Sequence, residues 1–376
     1  MKTKNLLMLF ALAGMIIFAS CKKDDDPSPL TYDQATEALT NADNSYNTFY
    51  NEYMSSTAAS AMSSVQELYP GFDLPTKAPA RPSNIKQNLV RSPKANSNKP
   101  LGGYGPSLIY FDFPSYVGTW TYNPSTYTWD HVSNSTTEVI IVFSFNGTND
   151  GKLIYSNYLS DTYTDSYTSE TITYCTQLKA RVEIEGETNP VMSWVYTGSY
   201  DESDTKMNEN IKYVYTLGSF TQTESYKDSG TLVYPNVTET LSIMFEVKNS
   251  GAIVYQTSIS AIIKATVGSQ TYTLNSITIN ASFRAMDIIV KFALNITQTN
   301  NPSNQDDPSK YMTVSVWRAD GAKVADVVFV YNTDTGYYDP YLEFTDGTQE
   351  PVSNYFYYLG EQLDSFVGML MYFYDK

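Results

Sequence analysis

The chain has 376 residues, 40 of them acidic and 24 basic, and it carries a formal net charge of −16. That balance excludes a nucleic-acid partner, because binding to phosphates depends on basic side chains that neutralise them. A hydrophobic fraction of 42% excludes a wholly disordered chain and is sufficient for a large core.

The first 20 residues are organised as an export signal. Lys2 and Lys4 precede the apolar run 6–18, which is shorter than the ~20 residues that a membrane span needs. The segment Phe18-Ala19-Ser20-Cys21 resembles the lipobox of bacterial lipoproteins, although Phe18 departs from the usual Leu or Val. The resemblance implies that residues 1–20 are removed as a signal peptide and that Cys21 is acylated as a membrane anchor. The alternative is a plain secreted protein.

Residues 21–30 are predicted to form an acidic, flexible tether. The run Lys22-Lys23-Asp24-Asp25-Asp26 resembles the export tag of Bacteroidota lipoproteins, which implies a lipid-anchored protein on the surface of the outer membrane. The alternative is an ordinary solvated spacer, since short charge blocks usually have no other role.

Residues 31–69 are predicted to be helical, because apolar side chains recur at intervals of three and four. They are Tyr32, Ala35, Leu39, Ala42, Tyr46, Phe49 and Tyr53. The spacing slips through Ser55, Ser56 and Thr57, which predicts a bend or two helices. Pro70 ends the segment, because proline lacks the amide that a further turn requires.

Residues 70–106 are predicted to be a basic, proline-rich linker. Its six Lys and Arg residues face a single acid, Asp73. The linker could contact anionic lipopolysaccharide or the acidic β domain, or it could be a loop without a particular partner.

Residues 107–376 are predicted to form an antiparallel β domain, because apolar and polar residues alternate with period two in many segments. One such series is Ile259, Ala261, Ile263, Ala265 and Val267. Turn dipeptides separate the segments and predict hairpins between consecutive strands. They are Asp150-Gly151, Ser229-Gly230, Ser250-Gly251, Gly268-Ser269 and Asp320-Gly321. A further hairpin of two aromatic strands is expected over 118–129, around Asn123-Pro124.

A long sheet with one wet and one apolar face must curl or close. A shift of parity near Asn275 and Ser276 predicts a β-bulge, a device that curves sheets. A C-terminal helix is predicted over 351–373, with Pro351 in its first turn. The expected fold is α+β: a large, curved, half-barrel-like antiparallel meander packed around N- and C-terminal helices.

This architecture resembles the half-barrel lipoprotein carriers of the LolA and LolB type, which implies an apolar cavity for acyl chains. The first functional hypothesis is therefore a non-enzymatic, membrane-anchored protein that holds a lipid between sheet and helices. The second is a surface lipoprotein of a nutrient-uptake complex that binds a glycan or a protein. The third is a hydrolase, although the carboxylate pairs Asp201-Glu202 and Asp306-Asp307 give no defined catalytic geometry.

Few residues are candidates for chemistry, and we expect no metal or other cofactor. Cys175 is predicted to be an inert thiol on the polar face of a strand, because Tyr174 and Leu178 have the opposite parity. His131 is predicted to be exposed at a strand end. The stretch 146–157 opens like a calcium loop but ends in Asn157, so a hairpin turn is favoured. A tyrosine cluster around Tyr155–Tyr174 could stack on sugars or simply suit a β-sheet.

Overall fold

A computed structural model describes most of the chain from the end of the tether onward. It describes residues 27–68, 109, 113–123, 128–133, 137–145, 147, 150–164, 171–203, 205–267, 272–297, 307–360 and 363. The leader 1–20, Cys21, most of the tether and the linker 70–106 lie outside the described residues.

The N-terminal segment consists of two helices, α1 (Tyr32–Met54) and α2 (Thr57–Leu68). Thr31 begins α1 with a capping box, in which its side chain and that of Gln34 each accept the other residue's backbone N–H. The Ser56 hydroxyl accepts the Ala59 N–H at 3.1 Å and so satisfies a free donor at the start of α2. The predicted break of the helix at Ser55 and Ser56 is confirmed.

The rest of the described chain is dominated by one 16-stranded sheet, which is open and curled. The strands are β1 (Gly118–Asn123), β2 (Thr128–Ser133), β3 (Val139–Phe143), β4 (Gly151–Thr164), β5 (Thr171–Ile184), β6 (Met192–Ser203), β7 (Lys206–Leu217), β8 (Phe220–Val233), β9 (Asn236–Asn249), β10 (Ala252–Val267), β11 (Tyr272–Ala285), β12 (Ile288–Thr297), β13 (Met312–Arg318), β14 (Lys323–Asn332), β15 (Tyr337–Glu343) and β16 (Gln349–Pro351). From β3 to β16 each strand pairs antiparallel with the next, which confirms the predicted meander. At the other edge β1 pairs parallel with β3 and antiparallel with β2.

Two of the predicted turns are confirmed. Ser250 and Gly251 both have positive φ angles, 49° and 89°, and connect β9 to β10. Gly321 has a φ of 94° between β13 and β14. In each case a residue with a left-handed backbone conformation joins two antiparallel strands, as the turn dipeptide predicted.

Two other turn predictions are wrong, and Gly268-Ser269 lies outside the described residues. Ser229-Gly230 lies inside β8, where Gly230 pairs with Met207 on one side and Glu239 on the other. The chain reverses instead at Tyr234-Pro235, where proline's missing donor costs no ladder hydrogen bond. Gly151 is the first residue of β4, and among the described residues of the preceding loop a positive φ is found at Gly147.

The predicted β-bulge is confirmed. Lys264 pairs with Ser276 and Ala265 with Leu274, so Asn275 is the extra residue at which the β10–β11 register shifts. Its side-chain amide donates to the Thr266 hydroxyl at 2.8 Å. The extra residue explains why the apolar parity changes between Leu274 and Ile277.

The two faces of the sheet differ in burial and polarity. The inner face is the one that carries Ile259, Ala261 and Ile263, which are all at most 2% exposed. Helix α1 contacts this face, with ring centroids 5.8 Å apart for Phe49 and Phe220 and 6.3 Å apart for Tyr46 and Tyr255. The outer face carries the alternate residues of each strand and is polar.

The C-terminal prediction requires correction. The last strand, β16, ends at Pro351, and the residues after it form a short 3-10 helix (Val352–Asn354) instead of the α-helix predicted to begin there. Helical conformation begins at Gly360 and is described again at Leu363; residues 361–362 and 364–376 lie outside the described residues. A residue of α1 determines where this helical segment begins, because the Asp43 carboxylate accepts the backbone N–H groups of Tyr358 and Leu359.

The end of the tether is bound to the sheet. The Leu30 N–H donates to the Lys323 carbonyl at 2.9 Å, and the Thr345 hydroxyl donates to the Leu30 carbonyl at 2.8 Å. The Leu30 side chain is buried, 6% exposed. The chain is therefore ordered two residues before α1 begins.

Candidate functional site

A groove of about 720 Å³ crosses five strands on the outer face, from β9 to β13. We call it the serine groove. Its lining residues are Ser242, Gln256, Ser258, Ile259, Ser260, Asn280, Ala281, Ser282, Arg284, Ile289, Lys291, Phe292, Ala293, Thr313 and Ser315. The volume falls within the ~300–1,000 Å³ that is typical of small-molecule sites.

The groove is formed by short side chains that the strand register brings into adjacent rows. In one row Ser258 of β10 pairs with Ser282 of β11, which pairs with Lys291 of β12 and then Ser315 of β13. Neighbouring outer-face side chains in a sheet stand side by side, so serine between longer residues leaves a depression. The long side chains of Gln256, Arg284 and Lys291 border it.

Hydrogen bonds order the polar groups of the serine groove. The Ser258 and Ser282 hydroxyls are 2.8 Å apart across the β10–β11 ladder. The indole N–H of Trp317, at the border, donates to the Ser315 hydroxyl at 2.8 Å. Above that ring, the Lys291 Nζ lies 4.4 Å from the centroid, a cation–π contact. The arrangement offers hydroxyls, an amide and two cations to a ligand.

Cys175 is placed differently from the prediction. It is fully buried, because Thr176 is left out of the β4–β5 ladder, in which Leu159 pairs with Gln177 and Ser160 with Cys175. This bulge reverses the parity on which the polar-face prediction depended. Burial raises the pKa of the Cys175 thiol to about 12, so little of the reactive thiolate forms near neutral pH.

His131 is exposed on β2, as predicted, and its ring lies 4.7 Å from that of Trp120. The stretch 146–157 joins β3 to β4 and then enters β4, so Asn157 is a strand residue. In the parts of 146–150 that are described, the Phe145 N–H donates to the Asp150 carboxylate at 2.9 Å. Among the described residues no group of three His, Cys, Asp or Glu side chains could hold a metal ion.

The tyrosine cluster is largely part of the core; its member Tyr167 lies outside the described residues. Tyr155 and Tyr174 are 6% and 3% exposed, and the rings of Tyr163 and Tyr174 are 6.0 Å apart. This supports the interpretation that these tyrosines are present because they suit a packed sheet. Within the described part of the chain, the tyrosines that are exposed lie elsewhere, at Tyr50, Tyr234, Tyr331, Tyr337, Tyr357 and Tyr358.

The two carboxylate pairs noted in the sequence belong to different parts of the fold. Asp201 and Glu202 belong to β6 and pair with Asn208 and Met207 of β7. Asp307 caps a 3-10 helix (Pro308–Lys310), and its carboxylate accepts the Ser309 hydroxyl at 2.7 Å. Asp306 lies outside the described residues.

A second polar cluster joins the two ends of the described chain. The Glu350 carboxylate accepts hydrogen bonds from the hydroxyls of Tyr32 and Tyr355, the latter at 2.7 Å. The hydrogen bonds that Glu350 accepts, first that from Tyr32 and next that from Tyr355, lower the pKa of Glu350. The pKa of Tyr355 is raised by burial and by its interaction with the Glu350 carboxylate. Both hydroxyls are bound to a carboxylate that stays ionised, so the cluster acts as a clamp between α1 and β16.

The serine groove was missed in the sequence because its residues come from five strands up to 73 positions apart, between Ser242 and Ser315. The only available signal was weak: serine on the polar parity of β10 and β11. None of the helices among the described residues is long and apolar enough to cross a membrane. Comparison with known proteins gives no matching family model and no significantly similar curated protein or solved structure.

Proposed function

We propose that the chain is an outer-membrane lipoprotein, anchored through acylated Cys21, that binds a glycan in the serine groove. The observation that carries the proposal is the groove itself, because it is large enough for a small ligand and its lining combines serine, threonine and asparagine side chains with apolar residues such as Ile289. Hydroxyls and amides that both donate and accept hydrogen bonds match the hydroxyl groups of a sugar. The binding role is non-enzymatic, and no residue is assigned a catalytic part.

We also propose that the curled sheet holds α1 and the C-terminal helical segment against its inner face, in a half-barrel arrangement. The contacts of Phe49 with Phe220 and of Tyr46 with Tyr255 support this. Phe356 and Leu359, 6% and 0% exposed, belong to the same core. Such packing leaves the outer face for ligand binding.

A glycan array tests the function directly. The full-length protein, purified in detergent, is expected to retain at least one class of oligosaccharide. Ser260→Trp places a large ring in the groove at an exposed position and should abolish the signal. Thr216→Trp, on the exposed outer face of β7, is the matched control and should bind normally. Unchanged binding by Ser260→Trp, or an array without signal, would contradict the proposal.

The alternative hypothesis of a lipid held between sheet and helices can be decided by one measurement. The inner-face contacts of Leu39, Phe49 and Leu359 occupy space that an acyl chain would need. We therefore expect mass spectrometry of an organic extract to find no stoichiometric lipid beyond the covalent anchor. A bound lipid at one per chain would move the main site to the inner face.

A further inference from the structure

The charge of the serine groove is opposite to that of the protein. Its lining includes two charged residues, Arg284 and Lys291, and no carboxylate among the described residues. The whole chain, in contrast, has a net charge of −16. A local excess of cations in an acidic protein is a distinct feature of this face, and it attracts anions.

The two cations are not neutralised by ion pairs within the described part of the chain. Of the three arginines described, Arg181 and Arg318 each form an ion pair with a carboxylate, and Arg284 does not. The Arg284 Nε donates to the Met286 carbonyl at 3.0 Å, which orients the guanidinium and leaves its terminal nitrogens for another acceptor. Lys291 contacts the face of Trp317 and has no carboxylate within 4.0 Å among these residues.

The acid in the Arg284 row is already engaged, and so is Asp326 of β14, the acid in the Lys291 row, which forms an ion pair with Lys323 at 2.7 Å. Glu246 pairs with Gln256 across the β9–β10 ladder and accepts its side-chain amide at 3.0 Å. The other carboxylate oxygen accepts the Lys248 ammonium at 2.6 Å. Glu246 therefore cannot neutralise Arg284 without losing these partners.

The register places the cations next to each other and beside the hydroxyls. Arg284 pairs with Ile289, and Ser282 pairs with Lys291, so Arg284 and Lys291 are diagonal neighbours on β11 and β12. Diagonal pairs in a sheet lie ~7–8 Å apart, close enough for one acidic group to contact both long side chains. Next to the two cations lie Ser258, Ser282 and Asn280. They could bind the hydroxyl groups of a sugar whose acidic group contacts Arg284 and Lys291.

We infer that the serine groove binds an acidic saccharide, with a carboxylate or sulfate held by Arg284 and Lys291 and the sugar hydroxyls held by the serine side chains. This inference rests on the proposed glycan-binding function and adds the chemical class of the glycan. Bidentate and charge-assisted bonds of this kind are stronger than neutral hydrogen bonds, so the acidic group supplies much of the selectivity.

Calorimetric titration of the full-length protein in detergent tests the inference. The probes are an oligogalacturonate and the neutral galactose oligomer of the same length. We expect the acidic oligomer to bind at least ~10-fold tighter, because hydrogen bonds to an ionised group are stronger than those between neutral groups. Arg284→Gln and Lys291→Gln should each remove most of that preference, whereas Lys291→Arg should retain it.

Lys264→Gln, a charge change on the same exposed face of β10 outside the groove, is the matched control and should have little effect. Equal affinity for acidic and neutral oligomers would overturn the inference and leave the glycan function intact. Loss of affinity as large in Lys264→Gln as in Lys291→Gln would also overturn it, because the attraction would then be non-specific. Binding of inorganic phosphate alone, without either saccharide, would overturn both proposals.

Discussion

The buried carboxylate of Asp43 in α1 accepts the backbone N–H of Leu359 at 2.9 Å, across 316 residues of sequence. The same oxygen accepts the Tyr358 N–H at 2.9 Å, and the Leu363 N–H donates to the Leu359 carbonyl at 2.9 Å. One helix thus supplies the N-terminal cap of another helical segment, a role that a residue next in sequence usually has. The contact fixes where the chain leaves the sheet edge and becomes helical.

Asp43→Ala is therefore expected to destabilise the fold by ~2–3 kcal/mol, because two N–H groups lose a charged acceptor in a buried site. Asp43→Asn keeps an acceptor oxygen and should cost less. Urea unfolding followed by fluorescence measures both. Glu37→Ala, at an exposed position of the same helix, should change the free energy of unfolding by at most ~0.5 kcal/mol. Equal effects of Asp43→Ala and Glu37→Ala would show that the cap is unimportant.

Packing of α1 against the inner face predicts a large cost for Phe49→Ala. The ring is 9% exposed and meets Phe220 edge-on, at an interplanar angle of 67°. Removal of a buried phenyl group costs ~3–5 kcal/mol. Tyr50→Ala, next in the helix and 44% exposed, is the matched control and should cost much less in the same unfolding experiment. Similar losses in the two variants would mean that α1 does not depend on this face.

Cys175 is expected to be unreactive in the folded protein. Its pKa of about 12 and its complete burial both suppress attack by the thiolate. A maleimide at pH 7.5 should modify it only after denaturation with urea. Thr335→Cys, in the exposed turn between β14 and β15, should react within minutes under native conditions and serves as the control. Rapid native labelling of Cys175 would place the thiol outside the core.

The Glu350 clamp predicts a loss of stability in acid. Because the folded pKa of Glu350 is lowered from about 4.5, its contribution is fully present above that pH. The contribution is lost as the pH falls through the lower folded pKa. The melting temperatures of the parent and Glu350→Gln should thus differ at pH 7 and converge as the pH falls progressively below 4.5. Glu187→Gln, in an exposed turn, should show no such convergence.

The meander could be predicted because alternation is a local property: Ile259 to Val267 is apolar at every second residue whatever lies beside it. The burial of Cys175 could not be predicted, because the bulge at Thr176 depends on how β5 pairs with its partner strand β4. Gly230 resembled a turn residue, but two long neighbouring strands keep it extended. The start of the C-terminal helix depends on Asp43, and the serine groove depends on the register of five strands. Both are non-local relationships that periodicity does not encode.

The attachment of Leu30 near the β13–β14 and β15–β16 turns would restrict how the protein stands on a membrane if the proposed anchor is present. If Cys21 carries the acyl chains, five residues separate it from Pro27, and the six peptide units between them reach at most ~22 Å. The turns at Gly321 and Asp346 then belong to the membrane-proximal end of the sheet. Gly336 lies at the other end of β14, and the length of that strand separates it from Gly321 by ~33 Å. The tether is too short to serve as a stalk, so the body of the protein would rest close to the lipid headgroups.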